Sequence, residues 1–188
     1  MAIIKGLDTE RIDYSIETFK ATFDKSSSDG FSHKNRFSMQ IQFPKFVKSA
    51  PDSATTNLMI ESTTMPGNRI MVREYQFDGP LKKFPYSTAV EEVTISFLLD
   101  GNYTMHKAFS EWLYEIINMD TYSVAYKEDI VATQEVFQLN KFNQKKYGLR
   151  MIDAFPIMVT PLEFSNTAQN DIQRVNVTFV FDRYDILT

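Results

Sequence analysis

The sequence contains no cysteine, which excludes disulfides, thiolate metal ligands and cysteine nucleophiles. Histidine is scarce as well, since His33 and His106 are its two occurrences among 188 residues. His106 falls on a predicted helix, but a general base would need a serine or carboxylate partner that the sequence does not single out. The glycine-rich phosphate loop, the nucleophile elbow and the HExxH zinc motif are missing too. We therefore expect a protein that is not an enzyme and has no catalytic residue, metal site or cofactor.

Concentrated positive charge and long apolar runs are also missing. The 20 basic and 24 acidic residues give a formal net charge of −4, whereas a protein that grips nucleic acid through its phosphates needs a positive face. The basic cluster of Lys141, Lys145, Lys146 and Arg150 straddles a predicted hairpin tip, and we interpret it as a solvated turn. No segment approaches the roughly 20 apolar residues that cross a membrane. The sequence thus predicts neither a nucleic-acid grip nor a membrane span.

Aromatic residues are abundant, with 16 Phe and 9 Tyr, and they fall mostly at the spacing of a hydrophobic core. Apolar and polar residues alternate along several segments, as in half-buried β-strands. One segment, residues 105–118, has instead the apolar stripe of an amphipathic helix, with Thr104 as its predicted N-cap. We predict strands at 37–43, 58–65, 92–99, 124–139, 147–153, 157–164 and 173–184.

About seven strands at regular spacing with one inserted helix are typical of an antiparallel β-sandwich or barrel. The fold class is therefore mainly β with one flanking α-helix. The predicted core consists of Phe37, Ile41, Val93, Ile95, Phe97, Phe109, Trp112, Val177 and Phe179.

The N-terminus differs from the rest. Residues 9–23 have the apolar stripe of an amphipathic helix, and a polar Ser-rich linker follows at 25–30. The helix either packs on its own domain or docks as an arm on a neighbouring molecule. We divide the chain into an N-terminal helical arm and linker at 1–30 and a β-sandwich domain at 31–188.

A long connection joins two predicted strands at residues 66–90. Ile70, Val72, Tyr75 and Phe77 could carry a strand, but Gly79-Pro80 and Pro85 break it. Connections of this length inside compact domains are uncommon unless they are functional. The segment is either a projecting hairpin or arm, or an ordinary irregular loop.

The serial order of these pieces resembles the tail tube proteins of contractile-tailed bacteriophages. The resemblance rests on a strand end at 63–67 (TTMPG), a strand at 93–97 (VTISF) leading into a helix with FSEW at 109–112, and the pair Phe155-Pro156. A closing strand at 175–179 (VNVTF) completes it. No single piece is a strong motif, and the match lies in their order along nearly the whole chain.

The resemblance implies a structural subunit of hexameric rings that stack into the inner tail tube, with the long arm bridging to the next ring. Its implied partners are further copies of itself, the tail sheath protein, the baseplate and tape-measure proteins, and phage DNA that passes through the lumen without specific binding. Its implied location is the virion tail, assembled in the host cytoplasm. Residues predicted at the interface between subunits or rings are Pro66, Gly67, Asn68, Arg69, Arg73, Tyr75, Phe77, Lys82, Lys83 and Phe84.

Two other functions stay open at this stage. One is a baseplate tube-initiator or a type VI-like secretion tube subunit, which shares the same fold. The other, from a different class, is a monomeric β-sandwich module that binds a carbohydrate or peptide.

An acidic subunit fits a conduit, because a lumen that does not attract phosphate lets DNA pass.

Overall fold

A computed structural model describes residues 32–76, 79–167, 169 and 171–187. The predicted N-terminal helix and its linker lie outside the described residues. Within them the chain is mainly β, with nine strands and three helices. In chain order the elements are β1 Phe37–Ile41, α1 Ser53–Met59, β2 Ile60–Thr63, β3 Asn68–Tyr75, β4 Lys82–Val90, β5 Val93–Leu98, α2 Thr104–Ile116, α3 Lys127–Ile130, β6 Ala132–Leu139, β7 Lys145–Val159, β8 Arg174–Val180 and β9 Arg183–Leu187.

Two four-stranded antiparallel layers share the long strand β7. The first sheet contains β1, β6, the N-terminal part of β7 and β9. The second contains β2, β5, β8 and the last five residues of β7. The mainly β, antiparallel fold predicted from the alternation is therefore confirmed.

Strand β7 is continuous where the sequence predicted two strands, 147–153 and 157–164. It passes from one sheet to the other near Asp153, whose backbone has a φ of 58°, a left-handed conformation that bends the strand. Pro156 falls between the two predicted strands, but in the structure it lies within residues 155–159 of β7, which pair with β8 at the edge of the second sheet. Proline is tolerated at such an edge, because the backbone N–H that it lacks has no ladder partner to bond.

The hydrophobic core lies between the inner faces of the sheets and helix α2. The Phe109 ring lies 5.1 Å from that of Phe97 and 5.8 Å from that of Phe179, so the helix packs directly on β5 and β8. The indole Nε1 of Trp112 donates a 2.9 Å hydrogen bond to the carbonyl of Ile130 in α3. Of the predicted core residues, Phe37 is half-buried against this cluster, and the buried ones are Ile41, Val93, Ile95, Phe97, Phe109, Trp112, Val177 and Phe179.

Helix α2 begins with a different cap from the predicted Thr104. Thr104 is the first helical residue, and the Asp100 carboxylate accepts hydrogen bonds from its backbone N–H at 2.7 Å and its hydroxyl at 2.8 Å. Donation from the Thr104 hydroxyl, then from its amide, lowers the pKa of Asp100. The turn that precedes the helix thus supplies the anion that its N-terminus favours.

Two short helices, α1 and α3, were not predicted from the sequence. Helix α1 lies between the predicted strands 37–43 and 58–65 and includes the first two residues of the second, and Asp52 caps it by accepting from the Thr55 N–H. Helix α3 occupies the start of the predicted strand 124–139, so β6 begins only at Ala132. The predicted final strand, 173–184, is divided at Asp182 into β8 and β9. Strand β8 pairs with residues 155–159 of β7 in the second sheet, whereas β9 pairs with residues 148–152 of β7 in the first sheet. One-turn helices have no periodic signature long enough to be seen in sequence.

Candidate assembly surface

The long connection forms a β-hairpin, one of the two structures predicted for it. Strands β3 and β4 pair from Asn68↔Val90 to Tyr75↔Lys82 and make a two-stranded sheet of their own. The register shifts once, so Tyr86 is an extra, bulged residue opposite the Met71–Val72 step. All of β3 and most of β4 are exposed. An isolated two-stranded hairpin is marginally stable in water, which makes this element a candidate for burial against a partner.

One side of the hairpin, the basic face, combines cations with aromatic rings. Arg73 lies over the ring of Tyr86, 5.4 Å from its centroid, and 6.0 Å from that of Tyr75. Tyr75 and Phe84 meet edge to face at 6.2 Å. Side chains alternate between the faces of a strand, so the register assigns eight residues to this face, and the contacts of Tyr86 with Met71 and Arg73 place the bulged residue there as well. The eight are Arg69, Met71, Arg73, Tyr75, Lys82, Phe84, Ser87 and Ala89.

The opposite side of the hairpin, the apolar face, carries little unpaired charge. Ile70 is 62% exposed and Val72 48% exposed, and Pro85 stands opposite Val72. Glu74 and Lys83 form an ion pair at 3.1 Å. Exposed apolar side chains on both faces of one element mark an interaction site more strongly than isolated ones do.

The predicted interface residues divide by position. Those in the hairpin strands are exposed. Pro66 is buried and Gly67 half-buried at the hairpin base, where the Glu91 N–H donates to the Gly67 carbonyl at 3.3 Å. Phe77 lies outside the described residues. The exposed set is Asn68, Arg69, Arg73, Tyr75, Lys82, Lys83 and Phe84.

Three exposed side chains of the hairpin are not among the interface residues predicted by name. Ile70 and Val72 were predicted as possible strand residues but were not assigned to the interface, although their spacing places them on one face. Tyr86 was missed because Pro85 suggested that the strand had ended. The bulge at Tyr86 accommodates this proline without ending β4.

Open sheet edges form a second feature suited to assembly. Strands β1 and β9 end the first sheet, and β2 ends the second. Residues 155–159 of β7 form the other edge of the second sheet, since β8 is their one partner among the described strands. Such edges present backbone groups to which a strand of another molecule can bond.

The outward face of the second sheet is polar and nearly uncharged at its centre. The hydroxyls of Thr94 and Thr178 lie 3.3 Å apart across β5 and β8, and Ser96 and Asn176 are the next pair on the same face. At its end, Arg174 is bonded to the carboxylates of Glu61 and Asp171. This face therefore offers no uncompensated cation among the described residues.

The residues weighed for catalysis or nucleic-acid binding do not converge on a site. His106 is 3.5 Å from the Ser110 hydroxyl on an exposed turn of α2, and His33 lies in an exposed loop. In the part of the chain that the structure describes, no three His, Asp or Glu side chains are grouped to hold a metal, and no helix is long and apolar enough to span a membrane.

The predicted basic cluster is engaged in local contacts. The Lys145 ammonium lies 3.7 Å from the centroid of the Phe137 ring, and that of Lys141 lies 5.0 Å from that of Phe142. Arg150 pairs with Glu135 across β6 and β7 at 2.7 Å. Of the cluster interpreted as a solvated turn, Lys141 lies in the turn, whereas Lys145, Lys146 and Arg150 belong to β7.

Comparison with known proteins gives one family and several structural relatives. A family model described as phage tail tube protein matches residues 32–187. A chain from the six-fold symmetrised baseplate of the anti-feeding prophage has a TM-score of 0.62 at 12% identity, over 86% of this chain and 97% of its own. No curated protein sequence matches significantly.

Two further relatives come from an extracellular contractile injection system, PVC. A chain of its sheath/tube terminator has a TM-score of 0.60 at 16% identity, over 86% of this chain and 100% of its own. A chain of its sheath-tube complex has a TM-score of 0.60 at 17% identity, over 87% and 96%. At these identities the likeness establishes a shared fold.

Proposed function

Because the chain belongs to the phage tail tube protein family, we propose that it forms stacked, six-membered rings that make the inner tube of a contractile tail. It is a structural protein of the tail-tube type and not an enzyme. The tube acts mechanically, as a conduit driven through the cell envelope when the surrounding sheath contracts. Phage DNA passes through its lumen during ejection.

The single observation that carries the ring proposal is the β3–β4 hairpin. Its two faces expose Ile70, Val72, Phe84 and Tyr86 to water in the isolated subunit, although a two-stranded hairpin gains stability chiefly by packing on something else. Burial of this surface against a neighbouring copy supplies that packing. Six-fold symmetry of the baseplate in which one structural relative was solved supports the ring number.

Open sheet edges support the arrangement of subunits around a lumen. Strand β2 and residues 155–159 of β7 lie at opposite margins of the second sheet. Pairing of one subunit's margin with the next subunit's margin closes the sheets into a ring and removes the edges. The hairpin then bridges to the adjacent ring.

The proposed lumen surface is the outward face of the second sheet. Thr94 and Asn176 expose small polar side chains there, Ser96 is half-buried and Thr178 is buried, and none of the four carries a charge. Phosphate binding depends on Lys and Arg, so such a surface lets DNA pass without holding it. The tape-measure protein occupies the lumen before the DNA, and sheath and baseplate proteins contact the tube outside and at its end. The subunit assembles in the host cytoplasm and resides in the virion tail.

Analytical ultracentrifugation of the full chain over a concentration series tests the assembly proposal. We expect species of ring size and larger, with negative-stain images of rings or tubes of uniform diameter. A strictly monomeric species at high concentration would reject assembly and revive the monomeric binding module.

A baseplate tube-initiator is the second candidate, and it is favoured by the baseplate origin of one relative. An initiator makes one ring and stops, whereas a tube-body subunit polymerises without a fixed length. Tube length in the same images distinguishes the two.

A further inference from the structure

An exposed apolar loop follows helix α2. Ile117 and Val124 pair in an isolated β-bridge, and the Asn118 N–H donates to the Ser123 carbonyl at 3.1 Å, so the chain turns back tightly on itself. Tyr122 near the tip is 82% exposed and Tyr126, just after it, 83% exposed. Side chains of this size are rarely so exposed together on one short loop unless another molecule covers them.

An open groove of about 420 Å³ lies beside this loop. Its rim includes the ion pair between Lys127 and Asp182. The groove is continuous with the loop because Val124 belongs to both. Its apolar walls are Ile116, Val124, Ile130, Phe155, Val180 and Phe181. We call the loop and groove together the receiving surface; it consists of residues 114–127 with Ile130, Phe155, Val180, Phe181 and Asp182.

Charge distinguishes between the candidate occupants of the receiving surface. Two exposed carboxylates, Glu115 and Asp120, belong to this surface, and its lysine is already paired with Asp182. Asp120 lies next to helix α2, since it accepts a 2.5 Å hydrogen bond from the Tyr114 hydroxyl. The exposed Glu128 and Asp129 line a separate groove together with Lys45. An occupant that buries this surface must therefore bring cations as well as apolar side chains, or leave carboxylates close to one another.

The hairpin of the same chain has this combination. Its basic face carries the cations Arg69, Arg73 and Lys82, and the register places no acidic residue there. The rings of Phe84 and Tyr86 on that face supply apolar area. The acidic residue of β3, Glu74, is on the apolar face and is paired with Lys83.

We propose that the basic face of one subunit's hairpin docks on the receiving surface of a second copy of this chain. Its cations oppose the carboxylates of Glu115 and Asp120, and its rings cover the groove. The inference rests on the proposed function, since it names the surface that accepts the bridging hairpin. It leaves the apolar face of the hairpin and the sheet edges to other contacts.

Reversing the charges on the hairpin or on the receiving surface, in the full-length chain, tests the proposed contact between them. The hairpin variant Arg69→Glu/Arg73→Glu and the loop variant Glu115→Lys/Asp120→Lys should each raise the concentration needed for polymerisation by at least about tenfold. Combining all four changes should restore most of the assembly, because opposite charges face one another again. The control Glu128→Lys/Glu163→Lys makes the same charge change at exposed sites outside the receiving surface and should assemble as the wild type does.

The outcomes separate this inference from the proposed function. If the wild type fails to polymerise, the proposed function is wrong and the inference falls with it. If the wild type polymerises and the loop variant behaves like the control, or the combined variant is not rescued, the receiving surface is wrong while the tube proposal stands.

The absence of native cysteine allows a second, independent test. Ser87→Cys and Ser123→Cys chains, mixed and assembled, should give a crosslinked dimer with a short bis-maleimide, since both serines are exposed and both variants keep the aromatic rings. Mixing Phe142→Cys with Ser123→Cys provides the control, since Phe142 is exposed at the β6–β7 turn and is not part of the hairpin. Assembled tubes without the Ser87–Ser123 crosslink would overturn the proposal and leave the receiving surface to another protein such as the sheath.

Discussion

The guanidinium of Arg73 lies over the ring of Tyr86, 5.4 Å from its centroid, on a hairpin exposed on both faces. An exposed cation–π contact contributes only about 0.5–1 kcal/mol, so this pair does not hold the subunit together. It does fix a charged and an aromatic side chain side by side on the basic face. Preorganised side chains lose less conformational entropy when a partner covers them.

Removing aromatic area from the hairpin should stop assembly and leave the subunit folded. Phe84→Ser/Tyr86→Ser changes two exposed residues, and exposed substitutions usually alter stability by less than about 0.5 kcal/mol. Sedimentation velocity should therefore show monomer, with an unchanged thermal midpoint by circular dichroism. Phe142→Ser, at a similarly exposed ring elsewhere, is the matched control. Normal polymerisation of the double variant would show that these rings lie outside the interface.

Truncating the buried indole should destabilise the subunit. Trp112→Ala removes a fully buried side chain and leaves the Ile130 carbonyl without its donor, so we expect a loss of about 3–5 kcal/mol. Urea unfolding followed by circular dichroism in the non-polymerising Phe84→Ser/Tyr86→Ser background measures it. Trp112→Phe keeps part of the packing and should cost less. Equal losses for the two variants would contradict this account of the packing.

A methyl group at position 148 should clash with an aromatic ring. A Cβ on Gly148 would lie 2.5 Å from the Phe137 ring, so Gly148→Ala should cost about 1–3 kcal/mol. In a Phe137→Ala background the ring is gone, and the same change should cost much less. A double-mutant cycle by urea unfolding gives the coupling, and additive effects would rule out the clash.

Acid should weaken the start of helix α2. The pKa of Asp100 is lowered in the folded chain by the Thr104 hydroxyl and amide, so its contribution is present above the unfolded value of about 4 and is lost as pH falls through the folded value. Asp100→Asn removes a negative charge at the helix N-terminus, so it should lower the free energy of unfolding by about 0.3–1 kcal/mol at pH 7 and flatten its fall below about pH 4. Part of the slope should remain, because hydrogen bonds also lower the pKa values of Asp52 and Glu111. An unchanged slope in the variant would contradict the assignment.

The tube should not retain DNA. Assembled wild-type protein should leave double-stranded DNA free in a gel-shift assay at about 0.15 M salt. Thr94→Lys/Asn176→Lys places cations on the proposed lumen face and should give binding that weakens as salt rises. Strong, salt-sensitive binding by the wild type would contradict the neutral lumen.

Alternation made the core predictable. Val93, Ile95 and Phe97 occupy every second position of β5 because one side of the strand faces the core and the other does not. The stripe of α2 is visible for the same reason, since thirteen residues give the helical period room to appear. Helix α3 has four residues and gives no period, although its Ile130 carbonyl is what satisfies Trp112.

The candidate site was only partly predictable, for reasons of register. The sequence placed an arm at 66–90, but it could not show that the pairing shifts between Met71 and Val72. That shift determines which residues of β4 share a face with Arg73. Nor could it show that Pro66 is buried at the base. The receiving surface gave no signal at all, because Tyr122 and Tyr126 lie in a loop without periodicity.

A cryo-EM reconstruction of the assembled wild-type chain tests the central claim most directly. The account predicts stacked six-fold rings in which the β3–β4 hairpin of each subunit is buried against another copy. Assemblies that leave Phe84 and Tyr86 of this hairpin exposed to solvent, or a preparation that stays monomeric at every concentration, would contradict it.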